Sequence, residues 1–166
     1  MRKFLLGMVL LVTGCGAGSE FTLDDQMFAA MMVPHHKQAI VMADIALTNS
    51  TNPAILELAA DIKAAQQPEI NEMLSWGGAM IGAHDGHQMA GMLSDSEIET
   101  LRNTTGAEFD RLFLKGMIKH HEGAIEMAKM VINSKTELAA KLGQDITSIQ
   151  MAEIEFMNKL LTELGK

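Results

Sequence analysis

A segment of twelve residues occurs twice in this chain, and no other feature constrains the fold as strongly. The first copy spans residues 32–43 and the second spans residues 117–128. Both contain a Met-x-x-His-His unit, an Ala-Ile pair and a Met-Ala pair at one constant offset, and together they hold four of the six histidines. A repeat at a fixed offset indicates an internal duplication. We therefore expect the two halves of the chain to fold alike.

The duplication continues beyond the histidine segment. Residues 58–73 and 142–157 share Leu, Asp, Ile, Gln, Glu, Ile and Met in the same order. Apolar residues at three- and four-residue spacing predict two long helices in each half, joined as a hairpin by a short turn. Two such hairpins pack by pseudo-twofold symmetry into an all-α four-helix bundle. The expected single domain spans residues 22–166, as repeat one (22–76), a long Met/His/Gly-rich crossover (77–104) and repeat two (105–166).

Capping residues and one proline set the expected helix boundaries. Ser or Thr followed three positions later by an acidic residue predicts helix starts at Thr22, Ser94, Thr105 and Ser134. The helix that starts at Ser94 is short and is expected to end near Asn103. Pro34 interrupts the first long helix and is expected to kink it just before the histidines.

The first residues have the pattern of an export signal. Residues 1–14 contain a positively charged start and an apolar run that is too short to cross a bilayer, which is typical of a signal peptide. Val-Thr-Gly-Cys at residues 12–15 is similar to the bacterial lipobox, which predicts cleavage before Cys15 and lipid attachment to it. Ordinary signal cleavage is the alternative. With residues 15–21 as a tether, the mature protein is expected at the periplasmic or cell-surface side of a bacterial membrane, held by its lipid anchor.

Composition limits the class of partner. The chain has a formal charge of −8, whereas proteins that bind nucleic acid present a basic face, so that class is excluded. Fifteen methionines and an aromatic content of 4% indicate a core rich in flexible, sulfur-containing side chains. Soft metal cations are the expected partners of such a chain.

Each Met-x-x-His-His unit places one thioether and two imidazoles within one helical turn. Met32, His35 and His36 stand at positions i, i+3 and i+4 and so share one sector of the helix. Thioethers favour Cu(I) and imidazoles serve both oxidation states, whereas zinc more usually recruits cysteine or carboxylate with histidine. The expected copper ligands are His35, His36, His120, His121, Met32 and Met117. His35 and His120 are expected to point inward, and His36 and His121 toward a flank.

Two glutamates accompany these histidines. Glu69 and Glu153 lie on the apolar faces of the second helix in each half, where a charge is unfavourable unless it is paired. The carboxylates are expected to accept the second imidazole N–H of the inward histidines, as outer partners of a metal site. Direct ligation of a metal is the alternative.

The crossover contains further soft donors. His84 and His87 stand three residues apart among Met80, Met89 and Met92. This pattern predicts a second, more exposed copper site. A flexible linker of biased composition is the alternative reading.

Residues 32–43, together with residues 106–128, resemble the family called domain of unknown function 305. The resemblance covers nearly the whole mature chain, and the doubled His-His motif carries it. The family consists of exported, ferritin-like four-helix proteins and includes CopM-like copper-binding proteins. The resemblance implies extracytoplasmic copper binding through His and Met, and a contribution to copper tolerance. Lys119 stands where the first repeat has Pro34, so the two half-sites are expected to be unequal.

The leading hypothesis is a copper-binding protein that sequesters Cu(I), and also Cu(II), outside the cytoplasm. It is expected to be a binder rather than an enzyme, because the sequence shows no nucleophile–base arrangement and no complete Glu-x-x-His pattern of di-iron bundles. One alternative is a ferritin-like metal-dependent oxidase that uses Glu69 and Glu153 with the histidines. Another is a surface interaction module that binds no metal. The sequence identifies no copper-delivery or efflux partner.

Overall fold

A computed structural model describes residues 20–77 and 89–165 of the chain. Within these ranges it contains five α-helices and no β-strand, which confirms the all-α prediction. The helices are α1 (Leu23–Asn49), α2 (Pro53–Ser75), α3 (Asp95–Asn103), α4 (Gly106–Ala128) and α5 (Glu137–Leu164). None of the helices in these ranges is both long and apolar enough to cross a membrane. The predicted signal peptide at residues 1–14 and Cys15 lie outside the described residues.

Three of the four predicted helix starts are correct. At the start of α1, the Thr22 hydroxyl accepts from the Asp25 backbone N–H, and the Asp25 carboxylate accepts from the Thr22 backbone N–H. Ser94 forms the same capping box at α3. Thr105 precedes α4 as predicted, but its side chain forms no capping hydrogen bond. The start at Ser134 is wrong: Thr136 precedes α5, because the Ser134 hydroxyl donates to Asp25 of α1 instead.

The helices pack as two hairpins that meet through their leading helices. α1 lies along α2, α4 lies along α5, and α1 also contacts α4. α1 is continuous across Pro34. On α5, the apolar side chains of Leu138 and Ile149 lie outside the core and are 50% and 41% exposed.

The apolar core is divided into two clusters at opposite ends of the bundle. The Phe28 cluster joins the first half of α1 to the second half of α4, and includes Met73 of α2 and Ile146 of α5. The Phe113 cluster joins the second half of α1 to the first half of α4, and includes Ile62 of α2 and Met157 of α5. α1 and α4 are therefore antiparallel, and the duplicated hairpins are related by a pseudo-twofold axis that passes between the clusters.

Reciprocal hydrogen bonds connect the hairpins at both ends. Asp25 of α1 accepts from the Ser134 and Thr136 hydroxyls in the turn before α5, each at 2.7 Å. Asp110, the equivalent residue of α4, accepts from the Ser50 hydroxyl in the turn before α2 at 2.5 Å. Each leading helix therefore binds the turn of the other hairpin, which fixes the two hairpins against each other.

Candidate metal centre

A layer of polar side chains separates the two apolar clusters. All four histidines of the repeated units are buried within it, and so are two glutamines, one on α2 and one on α5. We call this set the polar layer: His35, His36, Gln66, His120, His121 and Gln150. Each member lies along its helix between residues of the Phe28 cluster and residues of the Phe113 cluster. The layer therefore crosses the middle of the core.

His35 and His120 meet at the centre of this layer. Their ring centroids are 3.7 Å apart and their planes are tilted by 36°, so the two imidazoles lie largely face to face between α1 and α4. His36 and His121, which were expected to point toward a flank, are as fully buried as the inward pair. They are directed toward α2 and α5, because adjacent residues on a helix point about 100° apart.

The two glutamates bind the outer histidines. Nε2 of His36 lies 2.8 Å from Glu69 Oε2, and Nε2 of His121 lies 2.6 Å from Glu153 Oε2. The prediction that these carboxylates bind the inward histidines is therefore wrong. α2 and α5 flank the leading helices, so their glutamates reach the ring on the near side and not the ring at the axis. The glutamate side chains are 14% and 16% exposed, at the edge of the layer.

The inward histidines differ in their partners. His35 Nε2 donates to the backbone carbonyl of Ala90, at 3.2 Å, within the crossover. Neither ring nitrogen of His120 has a hydrogen-bond partner. The pseudo-twofold symmetry is therefore broken at the centre of the layer, because one crossover segment contacts only one of the two imidazoles.

These contacts determine which ring nitrogen is available. A carbonyl or carboxylate accepts a hydrogen bond, so Nε2 carries the proton in His35, His36 and His121. In a neutral imidazole the lone pair is then on Nδ1. Burial lowers the pKa of His35 to about 3, with a further lowering by neighbouring His36, and burial also holds the pKa of His120 well below 6.5. Both inward histidines are therefore neutral at physiological pH.

The polar layer leaves many polar atoms without a partner. In the described part of the chain, every buried side-chain nitrogen or oxygen that lacks a hydrogen bond belongs to this layer. These atoms are Nδ1 of His35, His36, His120 and His121, Nε2 of His120, both amide atoms of Gln66, and Oε1 of Gln150. Each such atom costs about 1–3 kcal/mol if nothing satisfies it. This concentration indicates a place where a ligand completes the bonding.

Sequence reasoning did not assign Gln66 and Gln150 to the site. Both are buried, at 2% exposure, one helical turn before Glu69 and Glu153 respectively. The signal was present, because the same glutamine recurs in an otherwise apolar stripe of both halves. A buried amide on such a stripe requires hydrogen-bond partners.

The remaining predicted ligands divide into two groups. Met32 and Met117 are fully buried one turn before their histidines, and each belongs to an apolar cluster that borders the layer. Met89 and Met92 are half-buried, and Met89 packs against the Phe28 cluster. Met80, His84 and His87 lie outside the described residues, so the crossover site stays a prediction.

The donor set limits the kind of ion. Within residues 20–77 and 89–165, no three His, Cys, Asp or Glu side chains form a group that holds one ion. Zinc sites are more usually built from three or four such ligands. A site in the polar layer has to combine imidazole nitrogens with a thioether or an amide, and soft Cu(I) accepts this mixture.

Comparison with known proteins identifies a matching family and similar solved structures. Residues 25–161 match the family described as domain of unknown function (DUF305). A DUF305 protein from Streptomyces coelicolor, described as secreted, is 26% identical with a TM-score of 0.78, over 89% of this chain and 96% of the other. CopM in the Cu(I)-bound form is 33% identical with a TM-score of 0.69, over 86% of this chain and 97% of the other. CopM in the Cu(II)-bound form is 36% identical with a TM-score of 0.71, over 84% of this chain and 96% of the other.

One viral protein is also similar over part of its length. Uncharacterized protein L153 of Acanthamoeba polyphaga mimivirus is 43% identical over 53 residues. The match covers 32% of this chain and 35% of the viral protein, so the chain spans about a third of that relative.

Proposed function

The chain belongs to the DUF305 family, and we propose that it is an extracytoplasmic copper-binding protein that sequesters or buffers Cu(I) and Cu(II). In this role it contributes to copper tolerance or homeostasis. The similar protein CopM has been solved in Cu(I)-bound and Cu(II)-bound forms, which supports the choice of metal. The similarity to a protein described as secreted supports export.

One observation carries the proposal: the concentration of unpartnered buried polar atoms in the polar layer. Four imidazoles and two amides with incomplete hydrogen bonds lower the stability of an apolar core. A metal ion that takes the free lone pairs removes this penalty. The layer is thus a site at which a cation stabilises the fold instead of disturbing it.

The residues around the layer have distinct roles in this proposal. Glu69 and Glu153 hold His36 and His121 by Nε2, which directs the opposite nitrogen to the metal and supplies negative charge at the edge of the site. Met32 and Met117 contribute thioether sulfur, which selects for Cu(I). The apolar clusters on both sides exclude water, so a bound Cu(I) ion is protected from oxidation by solvent-borne species.

Two further elements of the proposal involve residues outside the described ranges. We assign Cys15 as the lipidated residue that anchors the protein to a membrane. We assign His84 and His87, with Met80, Met89 and Met92, to a second and more exposed copper site that collects the metal.

A competition titration tests the proposal. The purified protein is titrated with Cu(I) against a chromophoric chelator under reducing conditions. The variant in which His35, His36, His120 and His121 all become leucine keeps an apolar core, and its helicity is checked by circular dichroism. We expect its affinity for Cu(I) to fall by at least roughly a hundredfold, since this variant lacks every imidazole ligand of the layer.

A matched variant separates the two proposed sites. Replacing His84 and His87 with alanine leaves the polar layer intact, so we expect the tight binding to remain. Binding that is unchanged in the four-leucine variant would overturn the assignment of the polar layer.

The oxidase alternative assigns Glu69 and Glu153 as metal ligands. In the structure both carboxylates bind a histidine nitrogen at the edge of the layer. Oxygen consumption during exposure to Cu(I) or Fe(II) distinguishes the two functions, and we expect it to stay at the rate of the free metal.

A further inference from the structure

We infer that the polar layer binds two monovalent soft cations, one at each Met-x-x-His-His unit, and that the half-site of His35 and His36 fills first. This inference rests on the proposed function and adds its stoichiometry and order. Neither follows from the repeat alone, because four histidines around one central ion would satisfy the same symmetry.

The arrangement of the rings argues against one shared ion. An imidazole binds a metal through a nitrogen lone pair that lies in the plane of the ring. His35 and His120 face each other at 3.7 Å with a tilt of 36°, so a single ion beside them could not lie in the plane of both rings at bonding distance. The closest pair of imidazoles in the layer is therefore not a chelating pair.

The adjacent histidines have a more suitable separation. The ring centroids of His35 and His36 are 6.5 Å apart, and those of His120 and His121 are 6.4 Å apart. When the two bonds are nearly collinear, a metal–nitrogen bond of about 2 Å to one nitrogen of each ring places the ring centres roughly 6 Å apart. Small rotations of the side chains thus allow each adjacent pair to hold its own ion, in the nearly linear geometry that Cu(I) and Ag(I) accept.

Each half-site contains two imidazoles, one thioether and one carboxylate. The buried thioether of Met32 lies one turn before His35 and His36, and Met117 has the same position in the second unit. One glutamate is bound to the outer histidine of each unit. A single carboxylate per half-site balances one monovalent cation, so two ions leave the layer close to neutral.

The crossover makes the two half-sites unequal. Its residues 89–93 dock on the leading helices beside the layer. The Gln38 side chain donates to the Leu93 carbonyl at 2.9 Å and accepts from the Leu93 N–H at 2.8 Å. The Ala90 carbonyl then lies against α4 at Gly123, where a Cβ atom would come within 2.0 Å of it. Gln38 and Gly123 occupy the same position in the two repeats. The two repeats therefore have different residues at the position that contacts the crossover.

This docking orients the imidazoles of only one half-site, that of His35 and His36. Ala90 holds His35 and Glu69 holds His36, so both imidazoles already carry their proton on Nε2 and present Nδ1. In the second half-site Glu153 holds His121, but His120 has no partner. A ligand that is already oriented loses less freedom on binding. The first ion is therefore expected at His35 and His36.

Nitrogen NMR with silver tests the inference. The protein is labelled with ¹⁵N at histidine, its signals are assigned with single-histidine variants, and Ag(I) is used because it is diamagnetic and stable to oxidation. We expect Nδ1 of His35 and His36 to shift during the first equivalent, and His120 and His121 to shift during the second. Shifts of all four histidines that saturate together at one equivalent would overturn the inference but leave the proposed function intact. The absence of any shift in the four would overturn both.

A variant outside the ligand set tests the cause of the order. Gln38→Ala removes both bonds that hold the docked segment, and Lys37→Ala is the exposed neighbour used as the control. We expect the Gln38 variant to weaken the first binding step by up to roughly tenfold and to leave the second step unchanged. Equal stepwise affinities in Gln38→Ala and the Lys37 control would contradict the role of the crossover.

Discussion

At the scale of single residues, the buried histidines explain how the site is kept ready for a cation. A charged imidazole is unfavourable in the core, so burial lowers the pKa of His35 and His120 and keeps these two rings neutral. Proton release is therefore not required before a metal binds to His35 or His120. The same burial makes the metal-free protein sensitive to acid.

The first prediction concerns this sensitivity. The pKa of His35 is about 3 in the folded protein and 6.5 in an ordinary setting, so the unfolded chain binds a proton first as the pH falls. Stability that is present above pH 6.5 is then lost progressively toward pH 3, by about 1.4 kcal/mol per pH unit for each such histidine. Urea unfolding of the metal-free protein between about pH 7 and pH 5 measures the slope. A double variant, His35→Leu with His120→Leu, should show a distinctly shallower dependence of stability on pH. An identical slope would contradict the attribution of the acid sensitivity to these two histidines.

The second prediction concerns the glutamines. Gln66 is buried with both amide atoms unpartnered, so Gln66→Leu should stabilise the metal-free protein by about 1–3 kcal/mol. Gln67→Leu, at the exposed neighbouring position, is the control and should change stability by less than about 0.5 kcal/mol. Denaturant unfolding checks both. A loss of stability in Gln66→Leu would show that the amide has a structural partner.

Sequence reasoning located the histidines of the site but not their bonding. Spacing showed that Met32, His35 and His36 share a helical turn, because that follows from the helix period alone. The carboxylate partner of each histidine depends on how α2 lies against α1, which no local pattern contains. The role of Gln66 was missed for the same reason, since its neighbours belong to other helices.

At the scale of elements, the close approach of the crossover to α4 determines one sequence choice. Gly123 lies inside a helix, where glycine is about 1 kcal/mol less favourable than alanine. It is retained because the backbone at Ala90 passes directly over it. Gly91 accompanies it with a φ of 83°, a conformation that favours glycine.

The third prediction compares two glycines of the same helix. Gly123→Ala places a Cβ atom against rigid backbone and should destabilise the protein by more than 1–2 kcal/mol, despite the better helix propensity of alanine. Gly116→Ala meets only the side-chain ends of Leu93 and Met42, at 3.1 and 3.3 Å, and should range from neutral to about 1 kcal/mol stabilising. Thermal unfolding of both variants provides the measurement. Equal behaviour of the two would show that the crossover is not held against α4.

Helix positions were predictable from sequence, and helix starts were less so. The apolar period fixed all five helices to within a few residues, and the capping boxes at Thr22 and Ser94 formed as expected. The box predicted at Ser134 did not form, because Asp25 of the other hairpin binds that hydroxyl. A capping motif states a local preference, and a buried carboxylate from another element can override it.

At the scale of the whole molecule, the duplication produces two apolar ends and one polar centre. The repeated hairpins bring their histidines together because α1 and α4 cross antiparallel at the pseudo-twofold axis. The single crossover has no symmetry-related copy, so it contacts only the half of the site that contains His35. A symmetric sequence motif thus gives two related but different half-sites within one layer.

The central claim is that copper binds in the polar layer, and a copper-loaded crystal tests it most directly. The fourth prediction is a peak of anomalous scattering at the copper edge within bonding distance of Nδ1 of His35 or His36, between the Phe28 and Phe113 clusters. A second peak beside His120 and His121 is expected at higher loading. Strong copper peaks elsewhere on the protein, with none among the four buried histidines, would contradict the account.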